Sequence, residues 1–196
     1  MKIAELLRDA AALPLEDFFM YAVAGGKDIL PDQEIRAHRF NLTALLSGRV
    51  FERFTVDIGP LGSLVTTPEE IPCSDTLAFA GVPPSRHRVV SLSQQVAEKI
   101  HAFTVPWKDR ENTRVKDLVD LVLILEVSPP DLGTTRKALE AVFGERASHP
   151  LPITLPDPPR PWVEPYAITA RDLSLAHCTV EDAIRLLRRF WVQVFS

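Results

Sequence analysis

Residues 91–126 combine two helix-like patterns with a concentration of charge, and this stretch constrains the fold more than any other part of the chain. In the first pattern Val96, Ile100 and Phe103 recur at offsets of four and three, so they share one face of a helix. In the second pattern residues 115–125 are apolar nearly all round, as in a helix that is buried on most sides. The sequence therefore predicts two helices joined by a charged loop.

The charges that need an explanation are Asp117 and Asp120, which are three positions apart and therefore neighbours on one helix surface. Carboxylates in a mostly apolar helix are costly to bury unless they meet a cation or a metal. Lys99 in the first helix is the candidate partner. Two interpretations stay open: a structural ion pair between Lys99 and Asp117, or a functional site. Arg114 and Lys116 lie where the second helix begins, beside free backbone N–H groups that suit an anion.

The composition limits the classes of protein that the chain can belong to. Its 196 residues fit one domain, or a domain with an appendage, and are enough to bury a real core. The formal net charge of −4 argues against a generally basic nucleic-acid binder, so phosphate must be met by a local patch. Residues 86–116 offer seven Lys and Arg against three acids, with His87 and His101 in addition. For Lys108 and Arg110 a solvated loop is the more ordinary explanation.

Cys73 and Cys178 are far apart, and neither belongs to a CxxC motif or a Cys/His cluster, which argues against zinc. We interpret both as packing residues. With no recognisable signal peptide and no long apolar run, the sequence predicts a cytoplasmic protein that does not enter a membrane.

The first ninety residues show a helix pattern followed by β patterns. Residues 1–11 predict an amphipathic helix with Ile3 and Leu7 on its apolar side. Gly25-Gly26 is interpreted as a turn in a connection, because it lacks the further glycines and the Lys-Ser/Thr of a phosphate loop. Residues 18–26, 39–48 and 50–59 predict strands, or strands with a short helix, and residues 76–82 and 86–92 predict two further short strands.

Asp57 is the candidate metal ligand of this half. The alternation in residues 50–59 puts Asp57 on the same face as Arg53 and Thr55, and Gly59 ends the strand shortly afterwards. A carboxylate at a strand end can point into a cleft and ligate Mg²⁺, which requires oxygen ligands. The ordinary alternative is that Asp57 forms a turn.

The last third of the chain predicts a helix, a strap and a second helix. Residues 134–146 predict a helix capped by Thr134 or Thr135. Residues 149–165 contain seven prolines and predict an extended surface strap, because they can form neither a helix nor a central strand. Residues 179–195 predict an amphipathic helix that begins at Thr179. Its predicted buried residues are Ile184, Leu187, Trp191 and Val194.

Three segments together resemble the AbiEii-type nucleotidyltransferase toxins of bacterial abortive-infection and toxin–antitoxin systems. They are VFERFTVDIGP at 50–60, PPSRHRVVSLSQQVAEKIHAFT at 83–104 and NTRVKDLVDLVLIL at 112–125. The succession of AEKIHA and RVKDLVDL is the specific part of the resemblance, which covers nearly the whole chain. It implies an α+β fold of the nucleotidyltransferase-β type, with a small mixed sheet, flanking helices and a C-terminal helical bundle. Residues 1–90 would form a partial nucleotidyltransferase-like core and residues 91–196 the helical region.

The resemblance also implies roles for individual residues. Lys99 and Asp117 would be catalytic, and Lys99 would act on the nucleotide or as a base. Arg114 and Lys116 would face the triphosphate, and Asp120 would complete the nucleotide-binding motif or serve as a structural helix partner. Asp57 would hold Mg²⁺, the implied cofactor. The implied partners are a nucleoside triphosphate, a cognate antitoxin and an acceptor for which the 3′ end of tRNA is the candidate.

The chain departs from the family pattern at its beginning. Family members carry, before the region matched here, a Gly-rich helix start and a strand with an Asp-x-Asp pair that holds Mg²⁺ on the nucleotide. Nucleotidyl transfer depends on metal positioning and electrostatics, so with Asp57 alone we expect weakened metal binding. Two functions therefore stay open, a nucleotidyltransferase toxin and a truncated or degenerate non-catalytic member that binds nucleotide, RNA or an antitoxin. A missing strand would also uncover a sheet edge, which predicts self-association.

Overall fold

The structure is a computed structural model that describes the chain in several ranges. These are residues 3–15, 18–28, 38–59, 62, 64–76, 78–81, 83–106 and 112–196. The chain separates into two compact units, Met1–Leu61 and Gly62–Ser196. The first unit is mainly β and the second mainly helical, which confirms the predicted α+β class. The predicted functional regions 1–90 and 91–196 stay a prediction.

The first unit contains one helix and a three-stranded antiparallel sheet. Helix α1 spans Ile3–Ala11, as its apolar periodicity predicts. Strands β1 (Phe19–Asp28), β2 (His38–Leu46) and β3 (Arg49–Ile58) lie in the order β1-β2-β3. The predictions of strands in these three regions are confirmed.

A tight turn and a glycine bulge help to set the register of this sheet. Ser47 and Gly48 connect β2 to β3 with φ values of 50° and 75°, the left-handed pair that a two-residue hairpin turn requires. Gly25 and Gly26 lie within β1, where its pairing with β2 shifts between Ala24 and Lys27. The prediction of a turn in a connection is therefore wrong for these glycines. They form a bulge, because their φ values of 80° and 154° are available to glycine inside a continuing strand.

The second unit begins with a short antiparallel ribbon. Strand β4 (Glu69–Pro72) pairs with β5 (Arg86–Val89), so the predicted strand before the helices is confirmed, whereas β4 was not predicted. The predicted strand at 76–82 is wrong. Ala78–Ala80 form one turn of 3-10 helix, and Gly81 follows it with a φ of 73° that ends the turn. Leu77 and Val82 of that prediction lie outside the described residues.

Five helices make up the rest of the described second unit. They are α2 (Leu92–Thr104), α3 (Val115–Val127), α4 (Leu132–Arg146), α5 (Val163–Asp172) and α6 (Val180–Phe195). Val96, Ile100 and Phe103 of α2 are buried in their common core, as predicted. The predicted buried residues of α6 are confirmed as well. Within the described ranges, none of the helices has the length and apolar character that a membrane crossing needs.

The start of α4 differs from its prediction. The cap is Asp131, whose Oδ1 accepts hydrogen bonds from the backbone N and the hydroxyl of Thr134, each at 2.7 Å. Thr134 and Thr135 lie inside the first turn instead. Asp131 directly follows two prolines, so the helix can begin one turn earlier than the periodicity indicates, and a carboxylate is a strong cap. The cap of α6 is Thr179, as predicted.

The proline-rich strap ends earlier than predicted. Residues 149–159 form neither helix nor strand, but Arg160–Trp162 form a 3-10 turn that leads into α5. Pro165 lies in the first turn of α5, where a missing N–H breaks no intrahelical bond. Two side chains of α6 hold the strap. Arg188 donates to the carbonyl of Leu155, and Trp191 Nε1 donates to the carbonyl of Ile153 at 3.2 Å.

We predict that Ile100→Ala lowers the free energy of unfolding of the second unit by about 2–5 kcal/mol, because its fully buried side chain leaves a cavity. Ile153→Ala is the matched control, since Ile153 is 95% exposed, and we expect a change below about 0.5 kcal/mol. Urea unfolding followed by tryptophan fluorescence measures both, because all three tryptophans lie in residues 62–196. Equal losses of unfolding free energy for the two variants would contradict the burial of Ile100.

Candidate functional site

Lys99 joins α2 to α3 at the candidate site. Its Nζ lies 2.6 Å from Asp120 Oδ2 and 3.6 Å from Asp117 Oδ1. The side chains of Lys99 and Asp117 are 23% and 14% exposed, whereas that of Asp120 is 45% exposed. The sequence predicted that the α2 cation meets the α3 carboxylates, and the structure brings these three residues together. The close partner of Lys99 is Asp120, and Asp117 is held at longer range.

Asp117 carries a carboxylate oxygen that the surrounding side chains leave unused. Arg114 Nη1 lies 3.6 Å from Asp117 Oδ2, which is beyond an ordinary hydrogen bond. Oδ2 is buried, and it has no hydrogen-bond partner among the described residues. Such an atom is costly to keep in a fold, so it requires an explanation.

Asn112 holds Arg114, the N-cap residue of α3, in position. Its Oδ1 accepts a hydrogen bond from the backbone N of Arg114 at 2.9 Å, and its Nδ2 donates to the carbonyl of Phe103 at 3.2 Å. Trp162 Nε1 donates to the carbonyl of Asn112 at 2.6 Å. Asn112 therefore ties the end of α2 to the start of α3. Asn112 was not among the predicted site residues, although an Asn just before a helix start is a recognisable signal.

The predicted basic patch between residues 86 and 116 is only partly present. Arg114 and Lys116 lie exposed at the start of α3, as predicted. His101 does not belong to a surface patch, because it is buried between α2 and α4. Arg86 is engaged by Glu70, and Lys108 and Arg110 lie outside the described residues.

Asp57 belongs to the first unit, whereas the other predicted site residues belong to the second. It lies in β3, opposite Arg39 of β2, and does not form a turn. Arg39 Nε and Nη2 donate to its two oxygens at 2.7 and 2.6 Å. These hydrogen bonds from Arg39 hold the pKa of Asp57 below its usual value. The pairing of β2 with β3 shifts by one residue between Ala44 and Leu45. Because of this shift, Asp57 rather than Val56 lies opposite Arg39.

The carboxylates of the described residues do not fit a magnesium site built from protein alone. Nowhere in the described ranges do three His, Cys, Asp or Glu side chains lie close enough to hold a metal ion. Both oxygens of Asp57 accept from Arg39, and Asp117 and Asp120 face Lys99. The metal role of Asp57 stays a prediction.

A second polar cluster lies on the other side of α2. The His–Ser cluster consists of His101, Thr104, Arg146, Ser148 and His149. Its close contacts are Arg146 Nη1 to His101 Nδ1 at 3.4 Å, His101 Nε2 to Ser148 Oγ at 3.0 Å, Ser148 Oγ to His149 Nδ1 at 2.9 Å and His149 Nε2 to Thr104 Oγ1 at 2.8 Å. The sequence gives no signal for this cluster, because its members come from α2 and from the end of α4 more than forty residues later.

Burial lowers the pKa of His101 to about 4, and the nearby charges of Arg146 and His149 act in the same direction. Burial also lowers the pKa of His149. The Arg146 guanidinium also forms an ion pair with Glu98. Both imidazoles are therefore neutral at neutral pH, and neither contributes positive charge to the protein surface.

A comparison with known protein families identifies the class to which the chain belongs. The family model that describes the nucleotidyl transferase AbiEii toxins of type IV toxin–antitoxin systems matches residues 2–183 of this chain. The chain therefore belongs to the AbiEii family, and membership indicates a nucleotidyltransferase-type toxin of a toxin–antitoxin system. No curated protein matches the chain closely enough to count as a relative.

We predict different effects on stability for the two α3 carboxylates. Asp117→Asn should leave the free energy of unfolding within about 0.5 kcal/mol, because it removes a buried charge that has only long-range partners. Asp120→Asn should lower it by about 1 kcal/mol, because it breaks the 2.6 Å contact with Lys99. Urea unfolding of both variants tests this contrast. A larger loss for Asp117→Asn would identify Lys99 and Asp117 as a structural ion pair.

We predict that the second unit loses stability as the pH falls from 6.5 towards 4. The unfolded chain binds a proton on His101 near pH 6.5, but the folded chain does so only near pH 4, so acid favours unfolding in this window. The full effect is about 3 kcal/mol, from 1.36 kcal/mol per unit of pKa shift.

The pH dependence is measured by urea unfolding at pH 7.5, 6 and 5. His101→Gln should flatten the profile, since glutamine is neutral throughout. The exposed His87→Gln is the control and should leave the slope unchanged. Parallel profiles for the parent chain and His101→Gln would contradict the assignment.

Proposed function

We propose that this chain transfers a nucleotide from a nucleoside triphosphate to a hydroxyl acceptor on RNA, with the 3′ end of tRNA as the first candidate. Family membership supports the reaction class. Lys99, Asp117 and Arg114 support the location, because they place two cations and an incompletely bonded carboxylate at one helix end.

The observation that carries the proposal is the unused oxygen of Asp117. A structural ion pair closes to a hydrogen-bonded distance, whereas both cations stand 3.6 Å from this carboxylate. Oδ2 is buried and has no described hydrogen-bond partner. A fold tolerates such an atom where a ligand completes the hydrogen bonding. In the proposed reaction, the Asp117 carboxylate accepts the proton of the attacking RNA hydroxyl.

The surrounding cations suit a triphosphate. The Lys99 ammonium has three N–H donors and directs one to Asp120, so two are available for phosphate oxygens. Arg114 and Lys116 are exposed at the amino end of α3, where free backbone N–H groups also attract anions. In this proposal Asp120 holds Lys99 in position. Pyrophosphate leaves as the new phosphorus–oxygen bond forms.

Magnesium remains the proposed cofactor. A triphosphate carries Mg²⁺ on its own oxygens, and one or two protein carboxylates commonly complete such a site. Asp57 is the proposed protein ligand. To bind the metal, Asp57 would have to give up its hydrogen bonds with Arg39.

The toxin–antitoxin family supports further proposals about partners and location. We propose a cognate antitoxin as the partner that limits activity, and self-association as a second interaction. The proposed compartment is the cytoplasm.

Binding without transfer is the second candidate function. The Arg39–Asp57 pair favours it, because a carboxylate with both oxygens on a guanidinium is a poor metal ligand. In that case the chain would bind nucleotide, RNA or an antitoxin through the same α2–α3 surface.

We predict that the full chain, given each α-labelled nucleoside triphosphate with Mg²⁺ and total tRNA, transfers label to RNA. Asp117→Asn and Lys99→Met should each reduce transfer by about 100-fold or more, because they remove charge from the reacting centre. Asp57→Ala tests the proposed metal ligand and should raise the Mg²⁺ concentration needed for half-maximal transfer. Glu140→Gln, on the exposed side of α4, is the control and should transfer normally.

The two functions are distinguished by a binding measurement on the same proteins. Nucleotide binding that disappears in Lys99→Met, without transfer by the parent chain to any RNA, would establish the binding-only function. Transfer that survives in both Asp117→Asn and Lys99→Met would place the reaction elsewhere in the chain.

A further inference from the structure

The hydrogen bonds of the His–Ser cluster run in one direction, which their donor and acceptor groups define. A guanidinium has no acceptor, so Arg146 Nη1 donates to His101 Nδ1, and the neutral His101 carries its proton on Nε2. His101 Nε2 then donates to Ser148 Oγ across 3.0 Å. The hydroxyl proton of Ser148 is consequently directed to His149 Nδ1, at 2.9 Å.

The hydrogen bonds of Thr104 define which nitrogen of the second imidazole, His149, carries the proton. The carbonyl of Ile100 can only accept, so the Thr104 hydroxyl donates to it at 2.9 Å. His149 Nε2 therefore donates to Thr104 Oγ1 at 2.8 Å, and His149 Nδ1 presents a lone pair to Ser148. A serine hydroxyl beside an unprotonated imidazole nitrogen, on an imidazole that a third group orients, is the arrangement that activates a serine nucleophile.

Ser148 is also accessible. It is exposed, and it follows Ala147, whose φ of 45° ends α4 and turns the chain away from the helix. Two neutral imidazoles contact the hydroxyl, and Arg146 contacts the first of them, His101, and pairs with Glu98.

We propose that Ser148 is a nucleotidylation site, at which one copy of the chain accepts a nucleotidyl group from a nucleoside triphosphate bound to another copy. This inference rests on the proposed transferase function. Transfer between copies is required, because Lys99 and His101 are two positions apart on α2 and leave it on nearly opposite sides. Lys99 faces α3 and His101 faces α4, so a site does not reach its own Ser148.

The step is a displacement at the α-phosphorus of the triphosphate. Ser148 Oγ forms the new bond to this phosphorus, and the bond to the bridging oxygen breaks. Pyrophosphate leaves with the electron pair, and the proton of the hydroxyl moves to His149 Nδ1. The product is a phosphodiester anion on Ser148 beside the protonated His149.

The test incubates the full chain with an α-labelled triphosphate and Mg²⁺, and locates the adduct by intact mass and peptide mapping. We expect one nucleotidyl group on Ser148, none on Ser148→Ala, and labelling slowed by about 100-fold in His149→Gln. Ser128→Ala, at the exposed end of α3, is the matched control and should be labelled normally.

A mixing experiment tests the transfer between copies. Lys99→Met should not label itself, but it should become labelled at Ser148 when Ser148→Ala is added as the donor. The initial rate should rise with the concentration of the donor. Labelling of Ser148 in a chain that cannot meet a second copy, such as one immobilised at high dilution, would overturn the transfer between copies.

Parallel assays with tRNA separate this inference from the proposed function. Label on RNA without label on Ser148 overturns the inference and leaves the transferase intact. Label on neither contradicts the transferase, and a fluorophosphonate probe then tests the nucleophile alone. An unreactive Ser148 overturns the inference, whereas reaction that is lost in His149→Gln supports the serine–imidazole pair.

Discussion

Burial of α3 is the constraint on which the second unit depends. Leu118, Leu121 and Val122 are fully buried, and α2, α5 and α6 all pack against this helix. A helix that is covered on so many sides carries its charged residues near its two ends, and Asp117 and Asp120 near its start face Lys99. Apolar packing therefore decides where the charged site can form, and the attraction between the charges only refines it.

Local periodicity predicted most of the regular elements. The offsets of three and four in α2 and α6, and the alternation in β2 and β3, are signals that neighbouring residues carry by themselves. The meeting of Lys99 with the α3 carboxylates was predicted for a related reason, since charge inside an apolar helix needs a counter-charge. The prediction did not distinguish Asp120 as the close partner, because that choice depends on how α2 and α3 cross.

Several contacts between residues that are far apart in the sequence could not be predicted. The pair of Arg39 and Asp57 depends on a one-residue shift in the register of β2 and β3, and no residue type announces it. The His–Ser cluster depends on the position in which α4 ends beside α2. Strand β4 is too short for alternation to be recognised, and Pro72 at its end is unfavourable in a strand. The missed features are thus those that tertiary packing creates.

The proline-rich strap has a consequence for how the protein behaves at high concentration. An extended stretch with an isoleucine that is 95% exposed would ordinarily recruit strands from other molecules. Proline has no N–H, however, and the five prolines between residues 149 and 159 remove donors that a growing β-sheet needs. The strap can therefore offer its carbonyls to Arg188 and Trp191 of α6. The same residues that keep it extended also protect the chain against aggregation through this segment.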